Sequence, residues 1–373
     1  MPKPLPKLIV ASSETSADLL YATQFHVSDP IVFLEQNGRR VIILSDLEID
    51  RGRRDAKVEE IVSLSELNKK LRPKGPEPVF KETVVGFLKA RRVKRAEVPS
   101  DFPLGLAQCL AEQGVELVAK DGLFFEEREF KKAAEVKKMQ RAIAITEAGM
   151  ARGIEVLKAS EPGKGNVLQW NGTKLTSELL RAEIDSAILR AGGHPANTIV
   201  AGGNQACDPH ERGSGPLKAN SLIILDIFPR DAASGFFGDL TRTVIRGKAN
   251  SAQRKLWNTV LEGQKFVLDR MKPGVDGGSL QDELKAWFRD HGYPTEVKNG
   301  RWSGFFHGTG HGLGLEIHEV PRFTKTVFKP GQVITVEPGL YYYGLGGVRI
   351  EDDVLVTETG IKVLSSFPKE LEI

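Results

Sequence analysis

Cysteine, net charge and long apolar runs are all scarce in this chain, and each scarcity closes a class of function. There are two cysteines in 373 residues, Cys109 and Cys207, too few for a disulfide framework or a cysteine-rich zinc site. Cys109 falls in a helix-like segment beside Leu106 and Leu110, where a buried, inert thiol is expected. The formal net charge is only +3, which does not mark a nucleic-acid binder. The basic runs, Arg91, Arg92, Lys94 and Arg95 and a second group around Lys131 and Lys137, are expected on solvated helix faces. The longest apolar run, LIILDIF, is too short and too charged to span a membrane. The opening MPKPLPKLIVASSE lacks the sustained apolar stretch of a signal peptide. These absences lead to the expectation of a cytoplasmic location, with no membrane and no nucleic acid as partner.

What is present is an ordinary globular composition over a length that suggests two domains. Early on, PIVFLE and RRVIILS flank Asn37-Gly38, a strong hairpin signal because both residues tolerate positive φ. Helix-like pieces follow near 53–60, 82–92 and 104–113, then the strand-like VELVA. This first stretch reads as a small α/β domain, and it carries no evident reactive cluster. A helical pattern then runs from about Glu126 to Lys158, with Met139, Ala142, Ile143, Thr146 and Met150 at spacings of three and four, the mark of a core-facing stripe. A second helix is expected over 176–191, capped by Thr176 or Ser177 and stopped by Gly192-Gly193. The strands SLIILDIF and FFGDLTRTVI come next, the second with the alternation of a half-exposed face. Helices near 251–270 and 279–290 lead into a final strand-and-glycine-loop third. The recurrence of two helices followed by two strands is compatible with a divergent duplication.

Three clusters carry chemistry. Asp226 is embedded in aliphatic residues, where an uncompensated carboxylate is costly. Asp239 follows 13 residues later on the next strand. Antiparallel pairing brings two such aspartates together, either as a metal site or as a structural pair. HGTGHGLGLEIHE, residues 307–319, holds His307, His311 and His318 among four glycines. The glycines argue against a helix, and no glutamate follows the first histidine directly, so this is not the helical zinc-protease motif. In ITVEPGLYYYGLGGVRIEDDVLV, Glu337 closes an apolar strand before Pro338. A second strand, VRIEDDVLV, is expected to turn Arg349, Glu351 and Asp353 one way and Val348, Ile350 and Val354 the other. Asp352, on the apolar side, is expected at an edge or paired with a basic group. Tyr341 to Tyr343 read as core or wall.

Taken in order, Asp…Asp-Leu-Thr-Arg-Thr…His-Gly…Gly-His-Gly-Leu-Gly…Glu-Pro-Gly…Arg-Ile-Glu-Asp resembles the pita-bread metallopeptidases, which include aminopeptidase P, prolidase and methionine aminopeptidase. The resemblance runs from about 126 to 373, and GHPANTIVAGGNQACDPH is similar to the family's segment ahead of the first aspartate. More weakly, LLYATQF and its surroundings resemble a creatinase-type N-terminal domain. The resemblance implies residues 1–125 as that α/β domain and 126–373 as an α+β catalytic domain around a curved antiparallel sheet. It implies two divalent metal ions, manganese favoured with Co, Zn or Fe possible, held by Asp226, Asp239, His311, Glu337 and Glu351. Asp226 is placed on one ion and His311 and Glu337 on the other, with Asp239 and Glu351 bridging and the pair activating the water between them. Glu337 is the candidate general base and acid. His307 and His318 are candidates to donate to a substrate carbonyl or carboxylate, His210 to line the pocket near the substrate N-terminus, and Arg349 to orient substrate or hold the ligands. His26, His194 and His291 default to surface or packing roles. The two aspartates stand two residues further apart than is usual in the family, across PRDAASGFF, which is expected to lengthen a loop without reversing side-chain facing. The implied substrates are short peptides with proline in the second position, cut by an aminopeptidase in preference to a dipeptidase (prolidase). A homodimer is implied as well. A metal-free hydrolase, or an inactive binding protein on the same fold, would be expected to lack this carboxylate pattern.

Overall fold

The structure is a computed structural model that describes residues 4–324 and 326–373. It divides into two units, Met1–Arg128 and Glu129–Ile373.

In the first unit the elements run β1 (Lys7–Ala11), α1 (Ala17–Thr23), β2 (Ile31–Gln36), β3 (Arg39–Leu44), α2 (Ile49–Asp55), β4 (Glu60–Ser63), α3 (Leu64–Leu71), α4 (Phe80–Ala90), β5 (Arg95–Pro99), α5 (Leu104–Glu112) and β6 (Glu116–Lys120). The strands form one mixed sheet in the order β4-β3-β2-β1-β5-β6. The expected hairpin is present: β2 and β3 pair antiparallel around Asn37 and Gly38, at φ 54° and 74°. Alternate residues feed two cores. Leu8, Val10, Val32, Leu34, Val41 and Ile43 pack on one face, and Ile9, Ile31, Phe33, Ile42 and Leu44 on the other. Covering both faces explains why these strands read as nearly continuous apolar runs. Two sequence expectations change. The helix near 53–60 lies earlier, and Glu60–Ser63 is a strand paired parallel with β3. Cys109 is half-buried, not buried.

The second unit begins with α6 (Ala133–Ala159) and α7 (Ser177–Arg190). The stripe from Met139 to Met150 is buried, and the Thr176 hydroxyl caps α7 by accepting from the Leu179 N–H. The strands Ile199–Gly202, Ile223–Ile227 and Leu240–Val244 then form an antiparallel ladder. The pattern recurs with α8 (Ser251–Leu268) and α9 (Gly277–Asp290), followed by the strands His311–Gly312, Glu319–Arg322, Val333–Val336, Asp352–Val356 and Ile361–Val363 in a second antiparallel ladder. A glycine on the first helix of each pair permits close approach. A Cβ on Gly149 would meet Ile188 of α7 at 2.8 Å, and one on Gly263 would meet Phe288 of α9 at 2.7 Å. This recurrence is the two-helix, two-strand repetition noticed in the sequence.

Several local expectations are corrected. Leu240–Val244 is buried along its whole length, because its polar alternation faces a buried polar site and not water. VRIEDDVLV is not one strand. It breaks at Ile350 and Glu351 into Gly346–Arg349, paired with Gly339–Tyr342, and Asp352–Val356, in the larger ladder. Asp352 takes the second of its two expected places: it is buried and paired with basic groups, accepting from Arg242 Nη2 at 2.8 Å and facing Lys369 Nζ at 2.5 Å. Lys131, expected on a solvated face, is also buried. No described helix is long and apolar enough to cross a membrane.

Candidate metal centre

The two ladders and the break between Arg349 and Asp352 deliver five side chains to one cavity of about 720 Å³. Strand pairing sets Asp226 opposite Thr241. Asp239 lies two residues before Thr241, so all three side chains share a face. The longer connection between the aspartates is taken up by its own turn, where Asp231 N–H donates to Phe236 O at 2.8 Å and Arg230 bridges Phe237. The extra residues therefore leave the facing intact. His311 enters from the second ladder, with its N–H held by Thr335 Oγ1 at 3.1 Å. Glu337 follows Val333–Val336, its N–H donating to Thr309 O at 2.8 Å. Glu351 sits in the strand break, its N–H donating to Thr241 O at 3.1 Å and its Oε2 accepting from Thr241 Oγ1 at 2.7 Å.

Asp239, His311 and Glu351 offer ligand atoms all within 4.8 Å of one another. His311 Nδ1 lies 3.1 Å from Gly312 O. A carbonyl only accepts, so Nδ1 carries the ring proton and Nε2 presents a lone pair. That lone pair faces Glu337 Oε1 at 3.3 Å and Asp239 Oδ2 at 3.7 Å. Acceptor thus confronts acceptor, and buried Asp239 Oδ1 has no hydrogen-bond partner. Both observations call for a cation. The charge balance agrees. Burial, with Asp226, Asp353 and Glu337 nearby, raises the Asp239 carboxyl well above its ordinary range. Glu351 rises likewise through burial and its neighbours Asp239, Glu337 and Asp226. Burial lifts Glu337 to about 7 against the pull of Arg349, and burial lowers His311 to about 3, keeping the imidazole neutral. Four carboxylates and a neutral histidine without thiolate suit hard or borderline divalent ions.

Arg349 is buried and donates from Nη2 to Asp226 Oδ2 at 2.6 Å, from Nη1 to the Tyr341 hydroxyl at 3.0 Å and from Nε to Thr241 Oγ1 at 3.3 Å. Of the acidic cluster it contacts Asp226 directly. His307 Nδ1 is turned to Gly308 O at 2.8 Å, and its Nε2 takes the Tyr341 hydroxyl at 2.8 Å. Both ring nitrogens of His307 are thus engaged within the protein. His318 is exposed at the cavity edge, its ring 4.4 Å from that of His311. His210 is exposed at the rim. Sequence reasoning missed Thr241, Thr335 and Arg322. The first two are one strand repeat away from ligands, which was a usable signal. Arg322, exposed and lining the cavity, had none.

The sequence model of metallopeptidase family M24 matches residues 137–358. A Xaa-Pro dipeptidase of Pyrococcus furiosus is 38% identical over 179 residues, covering 47% of this chain and 49% of that protein, so the match spans about half of its length. A Xaa-Pro dipeptidase of Pyrococcus horikoshii is 28% identical over 302 residues, covering 79% and 80%. Among solved structures, an X-Pro aminopeptidase from Thermotoga maritima superposes with a TM-score of 0.83 at 23% identity, covering 99% of this chain and 97% of that one, a likeness of fold alone.

Proposed function

Because the chain belongs to metallopeptidase family M24, we propose that it is a metal-dependent peptidase that hydrolyses the Xaa–Pro bond, acting chiefly as a dipeptidase. The observation that carries the reading is the meeting of Asp239, Glu351, Glu337 and the His311 Nε2 lone pair in one cavity, acceptor against acceptor. Asp226, Asp239, His311, Glu337 and Glu351 would hold two divalent ions, with manganese the expected metal. Bound there, such ions supply Lewis acidity and make water a nucleophile near neutral pH. Glu337 lines the cavity and takes or returns a proton beside the scissile amide. His318 donates to the substrate from the open edge. Tyr341 and Arg349 keep His307 and Asp226 in place. The apolar walls Ile199, Phe228, Phe306 and Ile317 shed water around the proline ring.

Aminopeptidase activity is the sequence expectation; the long N-terminal region bears on proline against methionine specificity and does not separate aminopeptidase from dipeptidase. The dipeptidase reading is supported by the names of both sequence relatives. It is supported too by Arg322, a guanidinium on the cavity that forms no ion pair among the described residues and suits a free proline carboxylate. The wider reading includes a creatinase-type first unit, strands of the second unit curving around the site, a homodimer and a cytoplasmic location. Light scattering and fractionation test the last two.

The deciding experiment is a panel of Xaa-Pro dipeptides, Xaa-Pro-Xaa tripeptides and Met-Ala peptides with added Mn²⁺, alongside metal analysis. Dipeptide turnover with about two ions per chain is expected. Tripeptide turnover without dipeptide turnover restores the aminopeptidase reading, and turnover of Met-Ala peptides alone removes the proline assignment.

A further inference from the structure

The loop Leu313–His318 brings Ile317 and His318 to the metal cavity, and its shape is built around a buried carboxylate from the next residue. Glu319 Oε1 accepts from the N–H groups of Leu315 and Glu316 at 3.0 and 3.1 Å. Its Oε2 takes Lys131 Nζ at 2.9 Å, with the two side chains only 1% and 2% exposed. The loop wraps so closely that a Cβ on Gly314 would fall 2.5 Å from a Glu319 oxygen. Gly314 O in turn accepts from Phe237 N–H at 2.8 Å, tying the loop to the segment ahead of Asp239. Lys131 is itself anchored by its N–H to Gly331 O at 2.7 Å, just before α6.

Two backbone N–H groups and a lysine converge on one dry carboxylate, which fixes the turn of the loop around it. Removing the carboxylate frees both N–H groups and strands the buried ammonium. We infer that Glu319, neutralised by Lys131, is the positioning residue that sets His318 and Ile317 over the cavity, and so governs how tightly the substrate is held. Glu319 is not among the residues that line the cavity and acts through the loop. The inference about substrate rests on the peptidase reading above, whereas the placement of His318 does not.

The test follows the imidazole Cε1–Hε1 signals of histidine-labelled protein, together with metal content, melting and steady-state kinetics. In Glu319→Ala, the His318 signal moves while that of His194 stays, metal content is kept, and kcat/KM falls roughly 10²-fold, mainly through KM. In Lys131→Met combined with Glu319→Gln, the amide oxygen still accepts from Leu315 and Glu316 and no charge is left buried, so the His318 signal and KM return toward wild type. Glu319→Asp, with a shorter arm and its charge kept, decides the matter should the alanine variant not fold: it shifts His318 and raises KM. An unmoved His318 signal in the folded variant, or an unchanged KM beside active wild type, overturns the inference. Wild-type protein that cleaves no Xaa–Pro substrate would defeat the peptidase reading, and the spectroscopic arm would still test the placement.

Discussion

Arg349 Nη2 lies 2.6 Å from Asp226 Oδ2, both side chains buried, in a pairing that joins residues 123 apart in sequence. The guanidinium also donates to Tyr341 and Thr241, which fixes the orientation of the fork that holds this carboxylate. Lysine has one compact charge and no planar fork, and it cannot reproduce this geometry. Arg349→Lys is therefore expected to lower metal affinity or kcat/KM by about 10–100-fold, as for other groups that orient ligands. Metal titration and kinetics check it, and wild-type affinity together with wild-type turnover would count against the role.

Metal and protons compete for the same oxygens. In the metal-free chain Glu337 stands at about 7, with Asp239 and Glu351 also raised, whereas His311 at about 3 keeps its lone pair at any ordinary pH. Affinity should therefore fall as the pH drops through 7, and binding near that pH should release protons. The stability sign is consistent. A carboxyl raised in the fold contributes stability that is fully present below its unfolded value and is lost as pH rises through 7. The metal-induced gain in Tm should thus be larger at pH 8 than at pH 5. Calorimetry in buffers of different ionisation enthalpy, paired with melting curves, measures both. Binding without proton release would refute the carboxylate assignment.

Gly310 precedes His311 where a Cβ would lie 1.8 Å from Thr335 O. Backbone must move to admit any side chain, and Thr335 also holds the His311 N–H. Gly310→Ala is expected to cost about 1–3 kcal/mol and to weaken metal binding. Gly360→Ala meets nothing within 4 Å and serves as the control, with a change inside about 0.5 kcal/mol. Equal melting of the two variants would dismiss the close-packing argument.

Cys207 is buried, and burial pushes its thiol up to about 11. The thiolate is the reactive form. Cys207 should therefore resist a disulfide reagent at pH 8 in the folded protein and react once urea unfolds it, while half-buried Cys109 reacts earlier. Thiol counts with and without urea, on Cys109→Ser protein, decide it. Fast labelling of folded Cys207→Ser would show Cys109 as the accessible thiol, and fast labelling of folded Cys109→Ser would contradict the burial argument.

The elements whose periodicity is local were legible in the sequence: the Asn37-Gly38 hairpin, the buried stripe of α6, the Thr176 cap and the paired helices α8 and α9. Asp226 stands out by itself, because a carboxylate inside LIILDI is costly unless something answers it; the wider ligand set is implied only by the motif order shared with the pita-bread metallopeptidases, and of it Asp239, His311 and Glu351 offer ligand atoms within 4.8 Å of one another. Tertiary structure decided the rest. Whether Asp226 and Asp239 faced one way depended on ladder register across a longer turn. The break at Ile350 and Glu351 depended on two ladders claiming the flanking residues. The sequence does not show that Tyr341, 34 residues away, meets the second nitrogen of His307. Lys131 looked solvated until Glu319, 188 residues on, met it in a dry interior. Periodicity reports which side of an element is buried. It does not report which distant partner arrives there, and for buried polar groups the partner determines charge, tautomer and role.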